Sequence, residues 1–448
     1  MSDPETVAAL SRWPAQLSSE RRAAALAAAR DVGGRVTDRR RVEAAVVAAR
    51  GQTHFPTSVH WEPGSVAQGD AGLALMCAYA DRCFPGEGWD ITGHRLLASA
   101  ATHAERSALG PSLYGGLAGL GFVAAQLGRG GARYTRLSDT VDGALAPQAR
   151  ALASTLDGHR HGVGVGLFDA ISGLSGIGAY LLTRRGRPNV DAALTSLLEA
   201  LVNLTRPSGQ QPLRWFTPVE LMFDEMTAAM YPDGHLNCGL AHGIPGPLAL
   251  MALAHAEGID VPGLRDAIVA VATWLRDNRA DDAWGINWPT MVALPGAETP
   301  PPEPSRAAWC YGSPGVARSL WLAGTALEDD QLRSLATDAM LAVYRRPLHE
   351  RQIDSPTFCH GVAGLLQISL RFAQDTGEAP FTEAVEDLTD QLLGAYDPDS
   401  LLGFCSIEPG GNAVDQAGLL DGAPGVALVL LAAATDAEPT WDRLFLLT

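Results

Sequence analysis

The sequence predicts an all-α protein, an α/α toroid in which seven inner helices and seven outer helices form a double ring. A Gly-x-x-Gly pair followed by apolar and small residues recurs seven times in the 448 residues. Each of these apolar stretches alternates with an amphipathic one, and patterns typical of strands are sparse. A repeated unit of two helices buries a continuous core when its copies stack side by side, which favours a repeat architecture.

The seven glycine pairs mark the predicted starts of the inner helices. The stretch after each pair is apolar on nearly all sides, as in "GLALMCAYA" and "GVALVLLAAA", which is typical of a helix that is buried all round. Glycine has no side chain, so backbones can approach closely around a narrow centre. The pairs are Gly69/Gly72, Gly116/Gly119, Gly173/Gly176, Gly243/Gly246, Gly312/Gly315, Gly361/Gly364 and Gly422/Gly425.

The stretches between the glycine pairs predict the outer helices. In "LRDAIVAVATWLRDN" and "FTEAVEDLTDQLLGAY" apolar residues recur three and four positions apart, so one face can cover the inner ring while charged residues meet solvent. Two longer gaps, near residues 205–236 and 281–305, predict small loop insertions on one rim. We interpret residues 1–448 as a single toroid domain with these insertions.

Composition and charge exclude several classes of partner. The chain has 33 basic and 50 acidic residues, which argues against nucleic acid or an anionic membrane surface. The apolar run "GVALVLLAAA" is too short to span a bilayer, and the start "MSDPETVAAL" does not resemble a signal peptide. We therefore expect a cytoplasmic protein that is not integral to the membrane. Its six cysteines should stay reduced, and be buried, metal-bound or catalytic.

Alignment of the seven repeats on their first glycine brings polar residues into one column. The residue just before that glycine is polar in most repeats and should face the central cavity. This column contains Gln68, Gly115, Ser172, His242, Tyr311, His360 and Asp421. One position earlier, cysteine occurs twice, as Cys310 and Cys359 of adjacent repeats, so these two side chains are expected to meet.

Cys310, Cys359 and His360 therefore predict a zinc site. Three protein ligands leave the fourth tetrahedral position open, which is the pattern of a catalytic site. Two thiolates cancel the metal charge, so a third thiolate from a substrate stays nucleophilic, which favours thiolate transfer over hydrolysis. Alcohol dehydrogenases also use these ligand types, but no Gly-x-Gly-x-x-Gly fingerprint is present. The plainer alternative is two buried thiols and a core histidine.

Four motifs, in the order "GLSGIG", "NCGLAHGIPG", "WCYGSPG" and "FCHGVAG", resemble those of LanC-type lanthipeptide cyclases. The resemblance covers nearly the whole chain, as far as "LLDGAPGVALVL". It implies an α/α toroid with a central zinc ion. It also implies a reaction in which a peptide cysteine adds to a dehydroalanine or dehydrobutyrine of the same peptide and closes a thioether ring.

The resemblance also implies roles for single residues. Attack at the β-carbon builds an enolate, so an acid must protonate the α-carbon and donors must stabilise the oxyanion. The matching positions are Cys310, Cys359 and His360 for the zinc ligands, His242 for the proposed acid–base histidine, Asp169 for an aspartate that acts with it, and Arg306 and Tyr311 for two further active-site positions.

Structural roles remain open for several of these residues. His242 could merely sit at a helix start, Asp169 could be a helix N-cap, and Arg306 could be a solvated loop residue. Asp421 could line the cavity or cap a helix. The cysteines outside the zinc set are expected to be core or surface thiols.

The resemblance implies as partner a dehydrated precursor peptide with a leader and a Ser/Thr/Cys-rich core. A separate dehydratase should supply that peptide, because the chain is too short for a fused one. A transporter is a further candidate partner, through which the cyclase would associate with a membrane.

Three rival functions stay open. One is a LanC-like protein that adds glutathione to dehydrated peptides. Another is a zinc-dependent protein prenyltransferase subunit, which would need an aromatic pocket, whereas aromatic residues make up only 6% of the chain. The third is a non-enzymatic peptide-binding scaffold, which the intact ligand column disfavours.

Overall fold

The computed structural model describes residues 13–448 apart from 130, 132, 160, 207–212, 223 and 298–302. The described chain is mostly α-helical, as predicted, and none of its helices has the length and apolar character needed to cross a membrane. It forms two compact units. The first contains the residues up to Ala100 together with Asp354–Trp441, and the second contains Ala101–Ile353 together with Asp442–Thr448. The single domain stays a prediction.

Sixteen α-helices and four short strands make up most of the described residues. The helices are α1 (Ser19–Thr37), α2 (Arg39–Gln52), α3 (Asp70–Cys83), α4 (Trp89–Arg106), α5 (Leu117–Leu127), α6 (Thr135–Gly158), α7 (Leu174–Thr183), α8 (Pro188–Thr205), α9 (Glu225–Met230), α10 (Pro245–Ala256), α11 (Leu264–Asp277), α12 (Ser313–Leu327), α13 (Asp330–Arg345), α14 (Val362–Thr376), α15 (Ala379–Gly394) and α16 (Ala423–Ala434). The strands are β1 (His235–Asn237), β2 (Met291–Ala293), β3 (Ser406–Glu408) and β4 (Asn412–Val414). Single 3-10 turns span Pro56–Ser58, Val165–Leu167, Val219–Leu221, Leu348–Arg351 and Thr440–Phe445.

The helices that follow the glycine pairs are the predicted inner helices, and they are buried along most of their length. In α16 every residue is buried. Among the described residues, six of these helices begin one residue after the first glycine of their pair. The exception is α10, which begins at Pro245, two residues after Gly243. The inner helices are α3, α5, α7, α10, α12, α14 and α16.

The outer helices bury one face only. In α13 the buried residues recur at helical spacing, as with Leu332, Ala336 and Val343, while charged residues occupy the rest of the surface. Outer helices pack on inner ones: α13 on α12, α15 on α14, and α1 on α16. The last of these contacts joins the first outer helix of the chain to its last inner helix.

The second glycine of a pair allows neighbouring repeats to touch. A β-carbon added at Gly72 would overlap the carbonyl oxygen of Val66 and would lie 3.0 Å from Cβ of Leu419, which belongs to the seventh repeat. A β-carbon at Gly176 would lie 2.9 Å from Cβ of Leu113, in the preceding repeat. Glycine is required here because the space that a side chain would fill is occupied by backbone and by a residue of the neighbouring repeat.

Main-chain hydrogen bonds link the loops that precede the inner helices. The amide of Ala241 donates to the carbonyl of Cys310 at 3.3 Å, and the amide of Cys359 donates to that of Leu420 at 3.0 Å. The amide of Leu420 donates in turn to Ala67 at 3.5 Å. All five residues lie two positions before the first glycine of their repeat. Within each unit, main-chain hydrogen bonds therefore join residues that the sequence alignment places at the same position of neighbouring repeats.

Both predicted insertions contribute to one small sheet in the second unit. Strands β1 and β2 pair antiparallel, with Leu236 opposite Val292. Residues 207–212 of the first insertion and 298–302 of the second lie outside the described residues, so their placement on one rim stays a prediction. The pairing itself was not predicted. In the first unit β3 and β4 form a hairpin of their own.

We expect Gly72→Ala to destabilise the fold by about 1–3 kcal/mol, because the added methyl group has no space between Val66 and Leu419. Denaturant unfolding measures the change. The matched control is Gly34→Ala in α1, where an added β-carbon meets nothing within 4 Å. That control should stabilise by about 0.4–1 kcal/mol. Equal unfolding midpoints for the two variants would contradict the packing role of the glycine pair.

A second prediction concerns His235 at the start of β1. The residue is 3% exposed, and burial lowers the pKa of its imidazole from 6.5 to about 4 against the opposing charge of Asp224. Between pH 6.5 and about pH 4, the imidazole of His235 is therefore protonated in the unfolded chain but neutral in the folded chain. Stability should fall by up to about 3 kcal/mol as the pH drops through this window.

Denaturant unfolding of wild type and His235→Gln across that pH range checks this. The variant should lose much of the slope. The control His349→Gln removes an imidazole that is 79% exposed and should keep the wild-type slope. An identical pH dependence in wild type and His235→Gln would show that His235 does not contribute.

Candidate functional site

A buried carboxylate and a partly exposed imidazole lie in contact at the starts of α7 and α10. One oxygen of Asp169, Oδ2, lies 2.7 Å from Nδ1 of His242. The other, Oδ1, accepts the backbone N–H groups of Ser172 at 2.7 Å and Gly173 at 2.8 Å. Asp169 thus binds the two amides just before α7 and also contacts His242. It is not the N-cap of α7, since that residue is Gly173.

The contact with Asp169 determines which nitrogen of His242 is available for chemistry. A carboxylate at Nδ1 favours the tautomer with its proton on that atom and holds the ring in one orientation. Asp169 is 1% exposed, whereas the His242 side chain is 35% exposed. The arrangement can therefore exchange a proton at Nε2 while Nδ1 stays bound to the protein.

In the same unit, Tyr311 contacts the last residue of β1, Asn237, and the nearby Gly239. Nδ2 of Asn237 donates to the Tyr311 hydroxyl at 3.2 Å. The tyrosine ring lies against Gly239, where an added β-carbon would overlap ring carbons. The backbone N–H of Gly239 donates to Oδ1 of Asn237 at 2.9 Å. Asn237 and Gly239 were not among the predicted site residues.

The repeat register contains a signal that identifies such partners. The residue four positions before the first glycine of one repeat contacts the residue one position before the first glycine of the next. Three pairs follow this rule: Asp169 with His242, Gly239 with Tyr311, and Gly418 with Gln68. An acidic residue at this position supplies a partner for the next repeat, and a glycine supplies space.

Cys310 and Arg306 differ in exposure. Cys310 is 6% exposed, and its carbonyl accepts the amide of Ala241. Arg306 is exposed, and among the described residues its guanidinium forms no hydrogen bond or ion pair. Its carbonyl oxygen occupies the space of a β-carbon at Gly312, whose φ of +89° also requires glycine. The catalytic role of Arg306 stays a prediction.

In the first unit Cys359, His360 and Asp421 bring three potential metal ligands together. One donor atom from each residue lies within 4.8 Å of the other two. Nδ1 of His360 lies 3.5 Å from Oδ1 of Asp421. Burial raises the pKa of Asp421, and a charge on His360 opposes this rise.

The environment of Asp421 fits a bound cation. Its Oδ1 atom is buried and has no hydrogen-bond partner among the described residues. A buried polar atom without a partner costs free energy, which a metal ion would offset. Thiolate, imidazole and carboxylate are all ligands that zinc accepts. The residues present therefore fit a zinc ion, with Cys359 and His360 as its ligands from this unit.

The four cysteines outside the predicted ligand set are free thiols. Burial raises the pKa of Cys77 to about 12 and those of Cys83 and Cys405 to about 11, and it raises that of the fully buried Cys238 as well. Such thiols are poor nucleophiles near neutral pH because almost none is ionised. They are therefore unsuited to the chemistry expected of a ligand cysteine.

Comparison with known proteins identifies the family. The model of the lanthionine synthetase C-like protein family matches residues 60–446. The nisin biosynthesis protein NisC of Lactococcus lactis subsp. lactis is 27% identical over 301 residues, which are 65% of this chain and 70% of that protein.

A solved structure of nisin cyclase superposes with a TM-score of 0.74 at 24% identity, covering 91% of this chain and 97% of that one. This likeness confirms the predicted α/α toroid. The match of the family model to residues 60–446 leads to one conclusion: the chain belongs to the lanthionine synthetase C-like family.

Proposed function

We propose that the chain is a zinc-dependent lanthipeptide cyclase. It adds cysteine thiolates of a dehydrated precursor peptide to dehydroalanine and dehydrobutyrine residues of the same peptide, and so forms lanthionine and methyllanthionine rings. The observation that carries the proposal is the Asp169–His242 pair, a proton-transfer device at an inner-helix start in a member of this family. The reaction needs such a device because it ends with protonation of a carbon atom.

Cys359 and His360 of the first unit would hold the zinc ion, together with Cys310 of the second unit. The inclusion of Cys310 rests on the repeat register and on the resemblance of "WCYGSPG" to the family motif. When bound, zinc lowers the pKa of a thiol that coordinates it, so the substrate cysteine is available as thiolate near neutral pH. Asp421, which has an oxygen within 4.8 Å of donor atoms of Cys359 and His360, would add negative charge beside the ion.

Residues of the protein then transfer a proton and stabilise the negative charge that develops on the peptide. The peptide thiolate forms a bond to the β-carbon, and the electron pair of the C=C bond moves to the α-carbon and its carbonyl oxygen. Nε2 of His242 takes up the proton that the peptide thiol loses and then donates it to the α-carbon, while Asp169 holds Nδ1. The net reaction therefore adds S–H across the double bond. Tyr311 and Arg306 would stabilise the enolate oxygen.

The partners follow from this reaction. The substrate is a precursor peptide that carries a leader and a Ser/Thr/Cys-rich core, and a separate dehydratase must act before the cyclase. The protein would work in the cytoplasm, and a transporter would provide any association with a membrane.

One experiment tests the proposal against its glutathione alternative. The zinc-loaded protein is incubated with a dehydrated peptide, with and without glutathione, and the remaining thiols are then alkylated for mass spectrometry. Ring closure leaves the peptide mass unchanged but removes one alkylation site per ring. A peptide that gains the mass of glutathione, or that keeps all its thiols, would contradict cyclase activity.

We expect about one zinc per chain, as a single three-ligand site requires. Cys310→Ala and Cys359→Ala should each lose most of it, because two ligands hold zinc poorly. Elemental analysis of the purified variants measures this. Cys77→Ala and Cys238→Ala remove buried thiols from the first and second units and should keep the metal. Full zinc retention in both ligand variants would refute the assignment.

His242→Asn should keep its zinc but slow ring closure by about 10²–10⁴-fold, the usual contribution of a general acid–base residue. Single-turnover cyclisation of a dehydrated peptide measures the rate. The control His255→Asn changes a histidine in the last turn of α10, the helix that follows His242, and should cyclise normally. Near-normal rates in zinc-replete His242→Asn would leave His242 with a structural role only.

A further inference from the structure

We infer that Asn237 is a positioning residue for the cyclisation reaction: it fixes the direction of the hydrogen bond at Tyr311, so that the phenol oxygen accepts there and its own proton is donated elsewhere than to Asn237. The inference rests on the proposed function. It concerns a residue outside both the zinc ligands and the Asp169–His242 pair, and it begins with the orientation of one amide group.

The backbone determines that orientation. A main-chain N–H can only donate, so the Gly239 amide, 2.9 Å away, must face the carbonyl oxygen Oδ1 of Asn237. The amide nitrogen Nδ2 must then face the Tyr311 hydroxyl at 3.2 Å. An amide nitrogen can only donate. At this contact the phenol oxygen is therefore the acceptor.

The direction of this hydrogen bond affects what Tyr311 can do. A phenol has one hydrogen, and with Asn237 as donor that hydrogen is directed away from Asn237. A hydroxyl that accepts one hydrogen bond is also polarised into a better donor. The enolate oxygen formed during thiolate addition needs such a donor. By donating to the Tyr311 oxygen, Asn237 thus makes the phenol a better hydrogen-bond donor to a negatively charged oxygen.

The position of Asn237 is rigid enough for this role. It is 4% exposed and ends β1, where it lies opposite Met291 of β2. The Tyr311 ring lies directly against the backbone of Gly239, in the space that a side chain would fill. A donor held by a paired strand and an aromatic ring held by a close contact keep the hydroxyl in place.

The test reverses the hydrogen bond without changing its shape. Asn237→Asp is nearly isosteric, but a carboxylate accepts from both neighbours, so Tyr311 would have to donate to it. We expect kcat for ring closure to fall by about 10²-fold, the cost of losing one oxyanion donor, with KM changed by less than about threefold. In a Tyr311→Phe background the same substitution should cost little more, because the two changes remove the same interaction.

A matched control separates this from the cost of a buried acid. Asn287 is 2% exposed in the same unit and bonds to Ser305, Trp288 and Ser313 instead. If Asn287→Asp lowers kcat at all, it should do so by the same factor with and without the Tyr311 hydroxyl, because the two residues do not interact. Equal slowing by Asn237→Asp with and without the Tyr311 hydroxyl would overturn the inference. If Asn237→Asp does not fold, Asn237→Ala completes the same cycle.

Raman spectroscopy of tyrosine gives a readout that does not need activity. The difference spectrum between wild type and Tyr311→Phe should show a phenol that accepts a hydrogen bond, and the corresponding Asn237→Asp pair should show a donor. Identical difference spectra would overturn the inference. A wild type that closes no rings would contradict the proposed function, and with it the catalytic part of the inference, while the spectra would still decide the contact.

Discussion

The close approach of the loops that precede neighbouring inner helices is the contact on which the other features depend. At Gly72 and Gly176 the space of a side chain is occupied by the adjacent repeat, and main-chain hydrogen bonds such as that from Ala241 to Cys310 join the same loops. Because backbone meets backbone, the residues next to each glycine have little freedom of position. His242 and Tyr311 each lie one position before the first glycine of their repeat. Their placement therefore follows from the packing that forms the fold.

The features that recur in every repeat, such as the starts of the inner helices, could be predicted from the sequence. Features that occur once, such as the pairing of β1 with β2, could not. Seven glycine pairs predicted the helix starts, whereas Asp169 was predicted as the partner of His242 from the family resemblance and not from the repeat register. The pairing of β1 with β2 joins two short insertions far apart in the chain, and three-residue strands leave no periodic pattern. Asn237 was missed for the same reason, since it belongs to that unrepeated strand. Gly239 was missed because the function of its position is to provide space.

Asp169 shows how structure and chemistry share one group. Its Oδ1 accepts two amides at the start of α7, where the helix dipole favours negative charge, and this offsets the cost of burying the carboxylate. Its Oδ2 is thereby left to contact His242. A substitution at Asp169 changes both the helix start and the histidine. Loss of activity in such a variant therefore cannot separate the two roles, whereas a change at His242 affects the imidazole alone.

The packing of α1 against α16 has a consequence for synthesis on the ribosome. Nε1 of Trp13 donates to the carbonyl of Ala432 at 2.8 Å, and α1 covers the last inner helix of the chain. Helix α1 thus has its main native partner some 400 residues later in the chain, which takes about 20–80 s at ordinary elongation rates. During that time the apolar face of α1, with Val32 and Val36, can pack on α2 and α3 but lacks its main native partner. The nascent chain therefore leaves much of the apolar face of α1 open to chaperones until α16 is made.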